Sequence, residues 1–339
     1  MWPIVAVEEV MASLQLPTQD LETYALANSI GAATIAQLKL SRSETDSAAG
    51  SAMEAECQRA RGLIGQKTNL NTLRTAFFLH VYHENQEPGG IKSLLYLREA
   101  ITLAQIMGLH RESTFRGISG GEQQVRRRVL WLLFVTERYT KTIFPFAFAQ
   151  LITDYSVFLD RGVAMLHKLP VILKPNTNFP SLNSDDEANI MPAFLKLINL
   201  FRIFDQSGAF DILQNSDGDT DNTFNIVAST NRNFSLQLLR RKLQEVSLDW
   251  ELCNDVQKAD ICVTRQWMQA VLWKVSMRSG NVDGGGEDQM TSLSHPIQIA
   301  GEFLRVIEQL PNAAIEAHGP SMVCLLHHTA LLGQVEVII

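Results

Sequence analysis

Ile91-Lys-Ser-Leu-Leu-Tyr-Leu-Arg-Glu-Ala-Ile-Thr-Leu-Ala-Gln-Ile-Met-Gly-Leu109 decides the fold. Its apolar residues recur at three- and four-residue spacing, the period of a helix and not of a strand. Leu94, Leu95, Leu97, Ile101, Leu103, Ala104, Ile106 and Met107 cover more than half the helix circumference, so the pattern predicts a central core helix buried on several sides. On its N-terminal side, Pro88-Gly-Gly90 stops a preceding helix that starts after Asn69 and runs through Leu73, Phe77, Phe78 and Val81. On its C-terminal side, Gly108 and the polar connection Arg111–Gly117 lead to Ser119-Gly-Gly-Glu122, where serine with glutamate three places later is a capping box that opens another helix.

The same period extends over nearly the whole chain. Helices are expected at Val7–Leu14, from Thr18 through Leu38, at Asp46–Leu63, Phe224–Val246, Val256–Met277, Pro296–Leu310 and Pro320–Leu332. Alternating strand patterns are almost absent. The predicted class is all-α: a multi-helical antiparallel array in a single large domain spanning 1–339, with glycine- and acid-rich linkers at 214–223 and 279–290. The apolar end Val335–Ile339 has no helix stop signal and reads as an interrupted domain.

Composition narrows the function classes. At 46% hydrophobic and 19% charged, 339 residues can bury a large core. A net charge of -7, from 29 basic and 36 acidic residues, gives no polyanion-seeking surface, so autonomous DNA binding is not expected. Cys57, Cys253, Cys262 and Cys324 are too scattered for a disulfide framework and form no Cys-x-x-Cys pair, which fits a reducing, intracellular compartment. The start Met1-Trp-Pro-Ile lacks a signal-peptide pattern. Apolar runs such as Val129–Val135 fall short of the ~20 residues that span a bilayer, so a soluble protein is expected.

Short motifs that suggest chemistry mostly fail in context. Gly117-Ile-Ser119-Gly-Gly121 spells a nucleophile elbow but follows no buried strand, so Ser119 reads as a cap. His80 and His83 lie three apart on one helix face, yet the His-Glu-x-x-His order is missing and helix-surface or capping roles are the default. Asp217-Gly-Asp219-Thr-Asp221 has Asn222 and Ala228 where a calcium loop needs glycine and glutamate. Arg126, Arg127 and Arg128 fan out at 100° per residue; pairing with acids such as Glu122 is expected in place of phosphate contact.

One segment differs in composition from the rest. From Tyr139 to Arg161, six of 23 residues are aromatic in a chain that is 8% aromatic overall. Excising it would join Thr136-Glu-Arg138 to Gly162–Pro170 as one amphipathic helix, which suggests a translated intron or, alternatively, a genuine surface insertion. Left in place, its aromatic side chains predict poor solubility.

With that segment bridged, Leu97–Arg111, Glu122–Arg138 and Gly162–Pro170 together resemble the middle homology region of fungal zinc-binuclear-cluster transcription factors. Within that family the likeness is to the activators of maltose and starch utilisation, supported by Trp2–Val5 and Ala32–Lys39. The resemblance covers most of residues 1–200. It implies an all-helical regulatory domain of a nuclear, non-enzymatic activator, controlled by a small saccharide inducer, with other transcription-factor chains or coregulators as partners and no membrane association. Residues implied by the motif, in structural or regulatory roles, are His110, Arg111, Arg126, Arg127, Arg128, Trp131, Glu137, Arg138, His167, Lys168 and Pro170. His110 and His167 are expected to hydrogen-bond at helix ends. The family's six-cysteine cluster is missing here; zinc is expected only in that module, and no cofactor or metal in this chain. Alternative readings are a regulator of a secondary-metabolite gene cluster, a standalone dominant-negative interaction protein, or a nonfunctional gene product.

The intron reading is checked in the genomic DNA. If 139–161 is a retained intron of ~69 nucleotides, three per residue, GT and AG stand at its edges, read from AGG-TA at Arg138-Tyr139 and a terminal AGG at Arg161. Their absence sinks the intron and leaves the insertion.

Overall fold

A computed structural model describes residues 3–15, 20–38, 44–151, 172–181, 190–206, 239, 241–243, 253–278 and 294–317. They form α1 (Val7–Leu14), α2 (Leu21–Gln37), α3 (Glu44–Ile64), α4 (Leu70–Gln86), α5 (Ile91–Ile106), a short 3-10 turn (Glu112–Phe115), α6 (Gly120–Leu151), α7 (Met191–Gln206), α8 (Asp255–Arg278), α9 (Ser294–Glu308) and α10 (Asn312–Glu316). Among the described residues the sole β feature is an isolated parallel bridge between Arg111 and Asn176. The all-α expectation is borne out. The chain gathers into two compact units, one of Met1–Met191 with Glu316–Ser321 and one of Pro192–Ile315 with Met322–Ile339.

In the first unit, α4 is the element enclosed on all sides, because α2 and α5 both pack on it. Its start is fixed by a capping box: the Thr72 N–H donates to Asn69 Oδ1 and the Asn69 N–H donates back to Thr72 Oγ1. Leu73 and then every residue from Thr75 to Tyr82 is buried, with Phe77 and Phe78 edge to face at 5.5 Å. Each such aliphatic or aromatic side chain stabilises by roughly 1.5–3 kcal/mol on burial. At the other end, Gly89 takes a positive φ of 72° and turns the chain into α5.

The expectation for α5 is corrected. It buries Ser93, Leu97, Ala100, Ile101 and Ala104, but Ile91, Leu95 and Ile106 are 58%, 62% and 65% exposed. The wide apolar arc therefore overstates its burial: α5 rests one face on α4 and turns the other to solvent. It also ends earlier than the pattern suggests. Gly108, at φ 70°, lies beyond the last turn in a Schellman motif, with the Leu109 N–H donating to Ala104 O and the Gly108 N–H to Gln105 O.

α6 continues unbroken past Arg138 to Leu151, so the first part of the aromatic segment is helical. Residues 152–161, the linkers at 214–223 and 279–290, and His167, Lys168 and Pro170 lie outside the described residues. So do most of the helix expected at Phe224–Val246 and the whole of that expected at Pro320–Leu332. In the second unit, α8 packs on α9, and α7 presents Phe201 and Phe204 to Trp267 of α8 at 6.5 and 6.0 Å. No helix among the described residues is long and apolar enough to cross a membrane.

The surface role expected for His80 is also corrected, since it is buried between α4 and α5. Ser93 Oγ donates to Glu84 Oε2 at 2.5 Å, which leaves His80 Nδ1–H to donate to the same hydroxyl at 2.8 Å and to Ser93 O at 3.0 Å. The Gly89 N–H completes the carboxylate's donors. His83 turns elsewhere, stacking on Tyr96 at 5.3 Å and approaching Glu54, so the two imidazoles do not converge on one point. Burial pushes the Glu84 carboxyl up to about 7, against the lowering effect of its hydrogen bonds, and holds the His80 imidazole down to about 4.

Opposite pH dependences follow from these shifts. Glu84 binds its proton more tightly when folded, so its contribution is present below its unfolded value of 4.5 and is lost as pH rises toward 7. His80 is kept neutral by folding, so its contribution is present above 6.5 and is lost as pH falls toward 4. Glu84→Gln, which mimics the protonated acid, is therefore expected to be more stable than wild type at pH 8, by on the order of 3 kcal/mol from ~1.4 kcal/mol per pKa unit, and within about 1 kcal/mol of wild type at pH 5. Urea denaturation at the two pH values checks this; an equal difference at both would show that the carboxyl titrates normally.

Candidate functional site

The residues that the motif picks out converge on one feature. On α6, Arg127, Trp131, Phe134 and Arg138 recur at spacings of four, three and four and so share one helical face. An extended strap, residues 172–181, is bound by their polar atoms and rings. Ser119 starts this helix, its Oγ accepting from the Glu122 N–H at 3.4 Å. The glutamate does not reach back as a capping box requires; its carboxylate takes the Arg126 guanidinium at 2.6 Å.

The strap is clamped at both ends. At its start, the Glu137 carboxylate accepts from the Ile172 and Leu173 N–H groups, each at 3.1 Å, and from Arg98 at 2.8 Å. Arg138 donates to Leu173 O at 3.3 Å and lies over the Phe134 ring at 3.6 Å. Glu137 and Arg138 are each only 1% exposed. At the far end, Glu112 receives both arms of the Arg127 guanidinium, at 2.7 and 2.5 Å, together with the N–H and side-chain amide of Asn178. That ring of donors, Arg127 foremost, holds the Glu112 carboxyl down to about 2, below the usual carboxylate range. Trp131 Nε1 donates to Asn178 O at 3.1 Å, and its ring meets Phe179 edge to face at 4.7 Å.

Between the clamps, the strap pairs with the connection after α5. The Asn176 N–H donates to His110 O at 3.0 Å and the Glu112 N–H donates to Asn176 O at 3.2 Å. His110 thus serves chiefly through its backbone, although its Nε2 also accepts from Arg111 Nε. His110 Nδ1 and Thr177 Oγ1 are buried there without hydrogen-bond partners.

Of the motif residues, the structure brings Arg127, Trp131, Glu137, Arg138 and the His110–Arg111 backbone to the strap. Arg126 pairs along its own helix, as expected, and Arg128 is buried as well. Sequence reasoning passed over Glu112, Arg98 and Asn178, which complete both clamps. Arg98 stood inside the diagnostic stretch; for Glu112 and Asn178 no spacing signal exists, because they meet Arg127 only through the tertiary fold. Both clamp carboxylates are filled with donors, so what the arrangement does chemically is hold a strap. Among the described residues, no three His, Cys, Asp or Glu side chains gather as a metal site would need.

Residues 27–244 match the fungal specific transcription factor domain. Similar proteins include a probable sucrose utilization protein of Candida albicans, 28% identical over 333 residues, which cover 95% of this chain and 58% of that protein. A maltose fermentation regulatory protein of Saccharomyces cerevisiae is 23% identical over 94% of this chain and 62% of its own length. A respiratory transcription factor of the same yeast is 25% identical over 66% of this chain and 41% of its own. The chain spans about three fifths of the length of the first of these relatives. No solved structure matches it.

The two clamps differ in burial, and so in the expected effect of breaking them. Glu137→Ala strands buried Arg138 and two strap N–H groups, and about 3–5 kcal/mol of stability is expected to be lost. Glu112→Ala, at a site where the carboxylate is nearly half exposed, is expected to cost about 1–2 kcal/mol. Chemical denaturation of the two variants decides it: equal losses would show that the strap is not held chiefly at its buried end.

Proposed function

The chain belongs to the fungal specific transcription factor domain family, and we infer that it is the effector-responsive regulatory domain of an activator of sugar-utilisation genes. The observation that carries this reading is the run of relatives named for sucrose utilization and maltose fermentation regulation, each aligned over 94% or more of this chain. It acts in the nucleus, without catalysis, through other transcription-factor chains or coregulators. Its signal is a small neutral saccharide.

The helical frame suits such a role physically. A ligand acts by binding one packing of the helices more tightly than another, and a shift of population then alters what the domain offers to its partners. Such a response needs a rigid frame against which a less constrained part can move. The saturated clamps on the strap provide rigidity of that kind.

Calorimetric titration of the full chain with maltose, sucrose, isomaltose and glucose tests the reading. At least one sugar is expected to bind, and at tenfold excess over its Kd to stabilise the fold by about 1.4 kcal/mol, seen as a raised Tm. Neither heat nor a Tm shift with any of the four would remove the saccharide from the reading.

A further inference from the structure

We propose that α8 in the second unit carries the binding site for a neutral, polyhydroxylated ligand, on the helix face that holds Cys262, Gln266, Gln269 and Trp273. This site rests on the sugar-responsive reading above and gives that reading a location.

The case begins with burial. From Ile261 to Leu272, every residue of α8 except Arg265 is buried, and Thr264, Gln266 and Gln269 are polar. Amides so placed are ordinarily fully hydrogen-bonded, because an unmet buried polar atom costs about 1–3 kcal/mol. Among the atoms of α8 that break that rule, Gln266 Oε1, in a residue 5% exposed, and Trp273 Nε1 are both buried with no hydrogen-bond partner.

Spacing turns these two exceptions into one site. Cys262, Gln266, Gln269 and Trp273 follow one another at intervals of four, three and four, which places them on one face. Gln266 and Trp273 are two turns apart, about 10 Å of helix rise at 1.5 Å per residue. One water cannot serve both. A ligand with hydroxyls along its length can, since each hydroxyl donates as well as accepts and the open pair is an acceptor, Gln266 Oε1, and a donor, Trp273 Nε1–H.

The orientation of the amide is already set. Gln266 Nε2 donates to Glu302 of α9 at 3.4 Å, so the carbonyl is the end left open. About 130° farther round the helix from the centre of the stripe, Trp267 packs with Phe201 and Phe204, so the aromatic core holds α8 from the side away from the stripe. Charge points to a neutral ligand, because the four stripe residues carry none and the Glu302 carboxylate beside them opposes an anion. Arg265, whose Nε is also buried without a partner, borders the stripe on the Gln269 side, about 70° around the helix from its centre.

The test uses the full chain and its Gln266→Leu and Trp273→Phe variants, titrated with maltose and sucrose by calorimetry and tryptophan fluorescence. Each variant is expected to bind at least tenfold more weakly, while its ligand-free Tm stays level or rises, because removing an unmet polar atom relieves the fold. Trp273→Phe keeps an aromatic ring and loses the N–H, so it carries the test if Gln266→Leu fails to fold. Sugar binding unchanged in both variants overturns the site and leaves the sugar-responsive reading standing. A wild-type chain that binds neither sugar removes reading and site together. Glucose 6-phosphate bound more tightly than any neutral sugar overturns the assignment to a neutral ligand and points to Arg265.

Discussion

Glu137 and Arg138 are adjacent in sequence and almost wholly buried, and the rest of the first unit's motif face is arranged around that fact. Isolated, either charge would be intolerable in the interior, and their mutual attraction alone does not offset the loss of hydration. The remedy is backbone. Glu137 takes two N–H groups from the strap and a guanidinium from α5, while Arg138 donates to one strap carbonyl and one of its own helix. The charge pair and the extended strap are thus mutually dependent. Without the strap, the pair lacks its satisfying groups; without the pair, the start of the strap at Ile172 and Leu173 lacks partners for its backbone.

This dependence explains why the family motif places arginine and glutamate on either side of Val129–Val135, an apolar run that is buried throughout. On a solvated helix, Arg126–Arg128 would contribute a few tenths of a kcal/mol through pairs like that with Glu122. One residue on from Arg126, on a buried side of the helix, the same residue type becomes structural. Arg127 grips Glu112 with both arms and stacks on Phe115, its guanidinium carbon 4.3 Å from the ring centroid. Lysine, a point charge without the planar fork, could not replace it on equal terms.

What could be read from the chain beforehand was local. The helix start after Asn69, the stop at Pro88–Gly90 and the Ser119 cap are each decided by residues within a few positions and stand where the pattern placed them, although Glu122 does not complete the box at Ser119. Contacts over long separations were hidden. Glu112 meets Asn178 across 66 residues, and nothing near either announces the other. The misjudged α5 has a different cause: hydrophobicity records which residues can be buried, not which neighbours arrive to bury them. Ile91, Leu95 and Ile106 have the character for a core, but on their side α5 lacks the cover that α2 and α5 give α4. His80 erred the other way, a polar residue inside the core because Ser93 stands opposite it.

A regulatory reading raises the question of which parts can move, and magnitudes settle part of it. Coupling between a small ligand and a distant event is usually worth about 1–3 kcal/mol. Opening the buried end of the strap would cost about 3–5 kcal/mol, beyond what such a ligand supplies. On the regulatory reading proposed above, the clamp is the part that such a ligand leaves closed, and the signal acts where less holds the chain. The polar stripe of α8 is a place of the right scale, since meeting two unpaired buried atoms returns about 1–3 kcal/mol each before the costs of binding. A frame too strong for a small ligand to open and a helix with unmet polar groups divide the work of a switch: the first keeps the fold the same, and the second gives a ligand something to change.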